Sequence, residues 1–248
     1  MSEDKNALLK RVLCVVGGIA GIMAVFVFRR NLGAEYFMFR AMGLFSSGPA
    51  EVPGTPEQWF ALFHDRLTTA LVLSNFFDAV NSVLVFLIML PLFFILRKTG
   101  KGPAILFLSL SAISVVLYSL TNISFPLLIL SDRYFSGVSP EVQRQLVSAG
   151  QSLLSLNNPA LPGPGTGPNL ALFFLFASGV TASVLMLRSD TFKRWVGTVG
   201  LLANGLGLCF FPVLWSAPSM SYLPMTLSAP FIILWYMVIA VRLIRANI

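Results

Sequence analysis

The chain has 248 residues, of which 56% are hydrophobic and 11% charged, with mean hydropathy +0.81 and a net charge of +7. A soluble domain carries about 25% charged residues, so this much apolar surface cannot be hidden in one water-facing core. Composition therefore excludes a soluble fold. The positive charge does not point to nucleic acid either, since Lys and Arg gather at the ends of apolar runs with no basic stripe interleaved with aromatics. What remains is one integral membrane domain over residues 1–248.

Met1 to Arg11 is a polar leader containing Lys5, Lys10 and Arg11. The apolar run 12–28 reads as a retained first span rather than a signal peptide. Val25-Phe26-Val27-Phe28 leads straight into Arg29-Arg30, with no small-x-small cleavage site. Gly17 and Gly21 form a close-packing pair for membrane helices. The connection from Asn31 to Arg66 holds Tyr36, Phe37, Phe39, Met42, Leu44 and Phe45, too apolar for a free loop. It is expected to lie at the interface or fold over the helix ends. Within it Thr55-Pro56-Glu57-Gln58 predicts a helix start, with Thr as N-cap, Pro at the first position and Gln to close a capping box. That helix is expected to run on into the second span, 67–96, with His64, Asp65 and Arg66 outside the hydrocarbon.

Asp78 is the only acidic residue inside a strongly apolar run. With Thr68, Asn75, Asn81 and Ser82 it falls on one side of a helix. A carboxylate in hydrocarbon is costly and turns toward protein or water. Counting back ~20 residues from Arg97 places Asp78 near the outer boundary of the hydrocarbon. The span ends at Arg97, Lys98 and Lys101, with Pro91 expected to kink it. The third run, 104–130, carries its own polar side of Ser111, Ser114, Tyr118, Thr121 and Asn122, and Pro126 frees the carbonyl of Asn122. Two polar stripes on adjacent antiparallel helices are expected to face each other. Asp78, Asn75, Asn81, Tyr118 and Asn122 then form a candidate ligand-binding recess that opens outward, with Tyr118 and Asn122 as the first candidate donors to the carboxylate. The competing reading is a polar patch that only packs helices together.

Ser139-Pro140-Glu141 opens a short amphipathic helix through about Leu156, in the second long connection from Asp132 to Pro168. Asn157 to Pro168 is too rich in Pro and Gly for regular structure, and its glycines lack the strand-then-helix setting of a phosphate loop. Three further spans follow at about 169–187, 195–215 and 223–240. The fifth carries Gly197, Gly200, Asn204, Gly205 and Gly207 as a face for tight packing. The fold class is thus all-α: a polytopic bundle of six transmembrane helices with amphipathic helices in two long outer loops. Eleven of the 17 Lys and Arg fall in the leader, the links at Arg97 to Lys101 and Arg188 to Arg194, and the tail. Both termini are expected in the cytoplasm, in the inner (plasma) membrane, against the dissenting pair Arg29-Arg30.

The segment Leu187-Arg188-Ser189-Asp190-Thr191-Phe192-Lys193-Arg194-Trp195-Val196-Gly197 is followed by an apolar run with Asn204-Gly205. It resembles a stretch in a bacterial and archaeal six-helix membrane family known only as a domain of unknown function, of the DUF4386 type. There a span ends in an Arg-Ser pair, a short basic link follows, and a glycine opens the next span. Leu96-Arg97-Lys98-Thr99-Gly100, closing the Asp78 run, fits the second helix of that family. The resemblance covers most of the chain. It implies the six-helix count and no activity, cofactor or site residue.

No cofactor or metal is expected: His64 is the only histidine, and Cys14 and Cys209 both sit in apolar runs. No catalytic set is expected. His64, Asp65, Asp78 and Tyr118 could be assembled into an acid–base group, but no nucleophile–base spacing supports it. The leading expectation is a non-enzymatic membrane protein. Its partners would be the lipid bilayer and either a lipid-like ligand or another membrane protein subunit, with no nucleic acid, and one version is an accessory subunit of a membrane complex. The alternative is a small transporter or channel using Asp78, although proton-coupled carriers usually hold several intramembrane ionisable groups.

Overall fold

The computed structural model describes residues 2–27, 53–157, 165–217, 220 and 222–245. Expectations for residues 28–52 and 158–164 lie outside the described residues. Among the described residues the elements are all helices: α1 (Ser2–Val27), α2 (Pro56–Asp65), α3 (Leu67–Leu73), α4 (Phe76–Leu96), α5 (Lys101–Thr121), α6 (Ser124–Phe135), α7 (Pro140–Leu156), α8 (Thr166–Leu187), α9 (Arg194–Ser216) and α10 (Tyr222–Ile244). Six are long and apolar enough to cross a membrane, one of them counted as a continuous stretch from Lys101 to Phe135. The protein is a multi-pass membrane helix bundle.

The spanning helices close into a ring in the order α1, α4, α5, α8, α9, α10, with α1 packed against both α4 and α10. Small residues set this spacing, as the lack of a hydrophobic driving force between helices in lipid requires. A side chain on Gly17 would run into Pro91 of α4, and one on Gly18 or Gly21 into Ile244 or Ala240 of α10. On α9, Gly197 faces Leu187, Gly200 faces Ser183 and Trp235, and Gly207 faces Phe176. Gly205 was expected on the same face, but it looks into open space. The interior is filled by side chains such as Ile88, Met89, Leu92, Phe107, Met186, Phe210 and Trp235.

A second, separate core sits at one end of the ring. Trp59, Phe60, Phe63, Ala70, Ile123, Leu127, Leu146 and Leu154 bury one another, drawn from α2, α3, α6, α7 and the α5–α6 link. The start of α2 follows from its sequence. The Thr55 hydroxyl accepts from the Gln58 N–H and the Gln58 side chain accepts from the Thr55 N–H, the reciprocal pair of a capping box. Ser139 likewise caps α7 over Pro140. The two connections thus do supply helices that cover the bundle end, and Gly150 of α7 lies directly on Phe60 and Pro56.

Two of the expected long helices are broken, and the breaks lie together. The second span does not run from Pro56 to Leu96. It stops at Arg66 and again at Ser74–Asn75, where Asn75 takes left-handed backbone angles (φ 63°, ψ 28°). Asn is among the few side chains that accept this conformation. The third run stops at Asn122–Ile123 and resumes in α6, where Pro126 falls in the first turn and its missing N–H costs nothing. Length explains the placement. α4 and α5 have 21 residues each, ~32 Å of helix, which already crosses the ~30 Å hydrocarbon. Residues before Asn75 and after Thr121 therefore belong to the cap.

Candidate functional site

The two breaks are bonded to each other. Ser74 Oγ donates to Ser124 Oγ at 2.7 Å, and Ser124 Oγ donates to the Ser74 carbonyl at 3.1 Å. Asn122 Nδ2 donates to the Asn75 carbonyl at 3.1 Å, and its Oδ1 accepts from the Ser124 N–H at 3.1 Å. Ser74 and Ser124 are fully buried and Asn75 nearly so. Each interrupted helix exposes backbone groups that need partners in an apolar setting. Here the partners come from the other interrupted helix. Asn157, at the end of α7, adds a bond from its Nδ2 to the Thr121 carbonyl at 3.0 Å. The arrangement is a clamp that joins bundle to cap.

The five expected site residues sit as follows. Asn75 and Asn122 meet in the clamp through backbone and amide, so Asn122 directs its amide donor to Asn75 and not to the Asp78 carboxylate. Asp78 is half-buried in the first turn of α4 and not at mid-helix, because the helix begins only at Phe76. A carboxylate there faces the favourable end of the helix dipole. Tyr118 is buried on α5. Asn81 is buried on α4, and its Oδ1 has no hydrogen-bond partner among the described residues.

The α5 stripe is also divided. Its Ser114 was expected to look toward α4, but its hydroxyl donates to the Ala171 carbonyl of α8 at 2.7 Å, while Ser178 of α8 donates to Phe107 of α5 at the same distance. Serine is small enough to let α5 and α8 approach and bond carbonyl groups across the seam. His64 is exposed and stacks on Phe135, with ring centroids 4.3 Å apart. Among the described residues no group of three or more His, Cys, Asp or Glu is placed to hold a metal ion.

The opposite end of the ring holds a cavity of about 1010 Å³ at the junction of α1, α4 and α10. Its walls are mixed. Cys14, Pro91, Phe94, Ile95, Phe192, Val238 and Leu243 are apolar, and Lys10, Arg97, Lys98, Arg242 and Arg245 bring five cations to it. Among the described residues no acidic side chain lines it. Pro91 both lines the cavity and meets Gly17, so the tight α1–α4 contact lies next to it. Arg97 lies over the ring of Phe94, 5.1 Å from its centroid, which holds the guanidinium in place. Sequence reasoning read these cations only as a topology signal. They come from three helices far apart in the chain, and no one-dimensional spacing brings them together.

A family model described as Domain of unknown function (DUF4386) matches residues 12–246. No curated protein and no solved structure matches the chain.

Proposed function

The chain belongs to the family described as Domain of unknown function (DUF4386), and from that membership and its six apolar helices we propose a non-enzymatic membrane protein that binds an amphiphile. The observation that carries this reading is the 1010 Å³ cavity, in which apolar walls from α1, α4 and α10 are joined by charged groups at the ends of those helices. Ligand sites of this volume, mostly apolar with a few convergent polar groups, suit a molecule with a hydrocarbon part and a polar head. The test is native mass spectrometry of the full-length protein released gently from the membrane. The expected result is a retained lipid-sized mass. A bare protein mass from every detergent and lipid background would end the reading.

The basic end faces the cytoplasm in this proposal, because the short links at Arg97 to Lys101 and Arg188 to Arg194 and the tail after Arg242 carry the excess of Lys and Arg. The ligand is then drawn from the inner leaflet of the plasma membrane. Single cysteines at Ser2 and Ala246, with Cys14 and Cys209 replaced, should resist an impermeant thiol reagent in intact cells. Labelling from outside would reverse the orientation.

A second reading keeps the polar head at the cap end, between Asp78, Asn81 and Tyr118. Asn81 Oδ1, buried without a partner among the described residues, favours it. Asn122 has its amide donor and its Oδ1 engaged in the clamp and takes no part. Loss of the retained lipid from Asp78→Asn with the basic end intact would select this second reading. A carrier or accessory-subunit role is compatible with either site.

A further inference from the structure

We infer that the head of the amphiphile is a net-anionic phosphate, with no cationic group of its own to balance it, gripped at the mouth of the cavity by Arg97, Arg242 and Arg245. This rests on the reading that the cavity takes an amphiphile, and adds what its polar end is. Five cations converge there from three helices, and no acidic side chain lines the space among the described residues. Like charges gathered at one cavity raise each other's energy unless an anion joins them. Arg188, Lys193 and Arg194 lie on the same side and do not line the cavity.

Depth selects the anion. Arg97 caps the C-terminus of α4, and α4 crosses the hydrocarbon with its 21 residues, ~32 Å of helix. The guanidinium of Arg97 therefore lies in the headgroup layer, where lipid phosphates are found. Geometry agrees. Arginine presents a planar fork that meets two phosphate oxygens at once, whereas lysine acts as a point charge. Three of the five cations are arginines. Below the mouth, Phe94 and Val238 offer a dry wall to an acyl chain, and Pro91 closes against Gly17.

The experiment uses the full-length protein in neutral detergent, titrated with phosphatidic acid, phosphatidylglycerol or phosphatidylcholine of one chain length, and separately with inorganic phosphate. Bound lipid is counted by native mass spectrometry. The two anionic lipids should be retained in preference to phosphatidylcholine, and each cavity charge removed should cost about fivefold in that preference. The variant Arg97→Gln/Arg242→Gln/Arg245→Gln should lose the preference. The charge-matched variant Arg188→Gln/Lys193→Gln/Arg194→Gln should keep it, whereas Arg97→Lys, which keeps the charge and loses the fork, should weaken it. If the first variant does not fold, Arg245→Gln alone must still show the single-charge loss. Equal retention of phosphatidylcholine, whose phosphate is balanced by its own ammonium, overturns the net-anionic assignment but leaves an amphiphile site. No retained lipid of any head overturns both. Binding of inorganic phosphate with no lipid retained makes this a site for an ion and overturns the inference.

Discussion

The cap and the ring are held together by different physics, although one chain builds both. The cap behaves like a small water-soluble core. Trp59 and Phe60 are fully buried, and α2 and α7 start with side-chain caps. The ring has no such driving force, since its outer faces meet lipid as apolar as its core. Leu106, Val116, Ile19 and Leu234 are accordingly exposed. Cohesion there comes from glycine contacts and serine hydroxyls that reach carbonyl groups across helices. Large apolar side chains therefore matter most in the cap, and small residues in the ring.

The largest expected effect is in the cap. Trp59→Ala should cost ~3–5 kcal/mol of cap stability, because a fully buried indole leaves a cavity in a core that water can reach. Hydrogen exchange should then quicken along α2 and α7 while α8 to α10 stay protected. Uniform quickening in both regions would merge what is here treated as two cores. In the ring the damaging change goes the other way. Gly179→Ala puts a methyl group into the Asn204 amide, which covers it and donates to the Gly200 carbonyl at 2.8 Å. Overpacking of this kind costs ~1–3 kcal/mol, read as a lower thermal midpoint in detergent. Gly205→Ala, which meets nothing, is the internal control.

The clamp comes next. Asn122→Ala strips the partners of the Asn75 carbonyl and the Ser124 N–H, and should cost ~1–3 kcal/mol through unsatisfied buried groups. Asn75→Ala should lose ~1–2 kcal/mol from its left-handed backbone, with Asn75→Gly much milder. Equal costs for Ala and Gly at that position would show that the side chain, and not the backbone, is what matters. Asp78→Asn should have the smallest effect, ~0.3–1 kcal/mol, since the amide still accepts hydrogen bonds and loses only the charge term at a helix start.

Much of this fold was legible in the sequence. Hydropathy gave the six spans, and the Thr55 and Ser139 caps announced α2 and α7. The helix breaks were not legible, because Ser74-Asn75 and Asn122-Ile123 sit inside runs that stay apolar on both sides. Pro126 hinted at the second break; the left-handed Asn75 offered no such signal, as asparagine tolerates many settings. The missed breaks changed the site. Asn75 and Asn122 look like ligand groups on continuous helices and become backbone partners once the helices end there. The cavity was hidden for a different reason: Lys10, Arg97 and Arg245 meet only after the ring closes through α1.

The most direct test of this division of labour is an electron-microscopy map of the full-length protein in nanodiscs made from its own membrane lipids. Elongated density should enter between α1, α4 and α10, with its head beside Arg97 and Arg245 and none within the clamp at Ser74 and Asn122. A basic-end cavity filled by protein side chains, with lipid-like density beside Asp78 instead, would contradict the account.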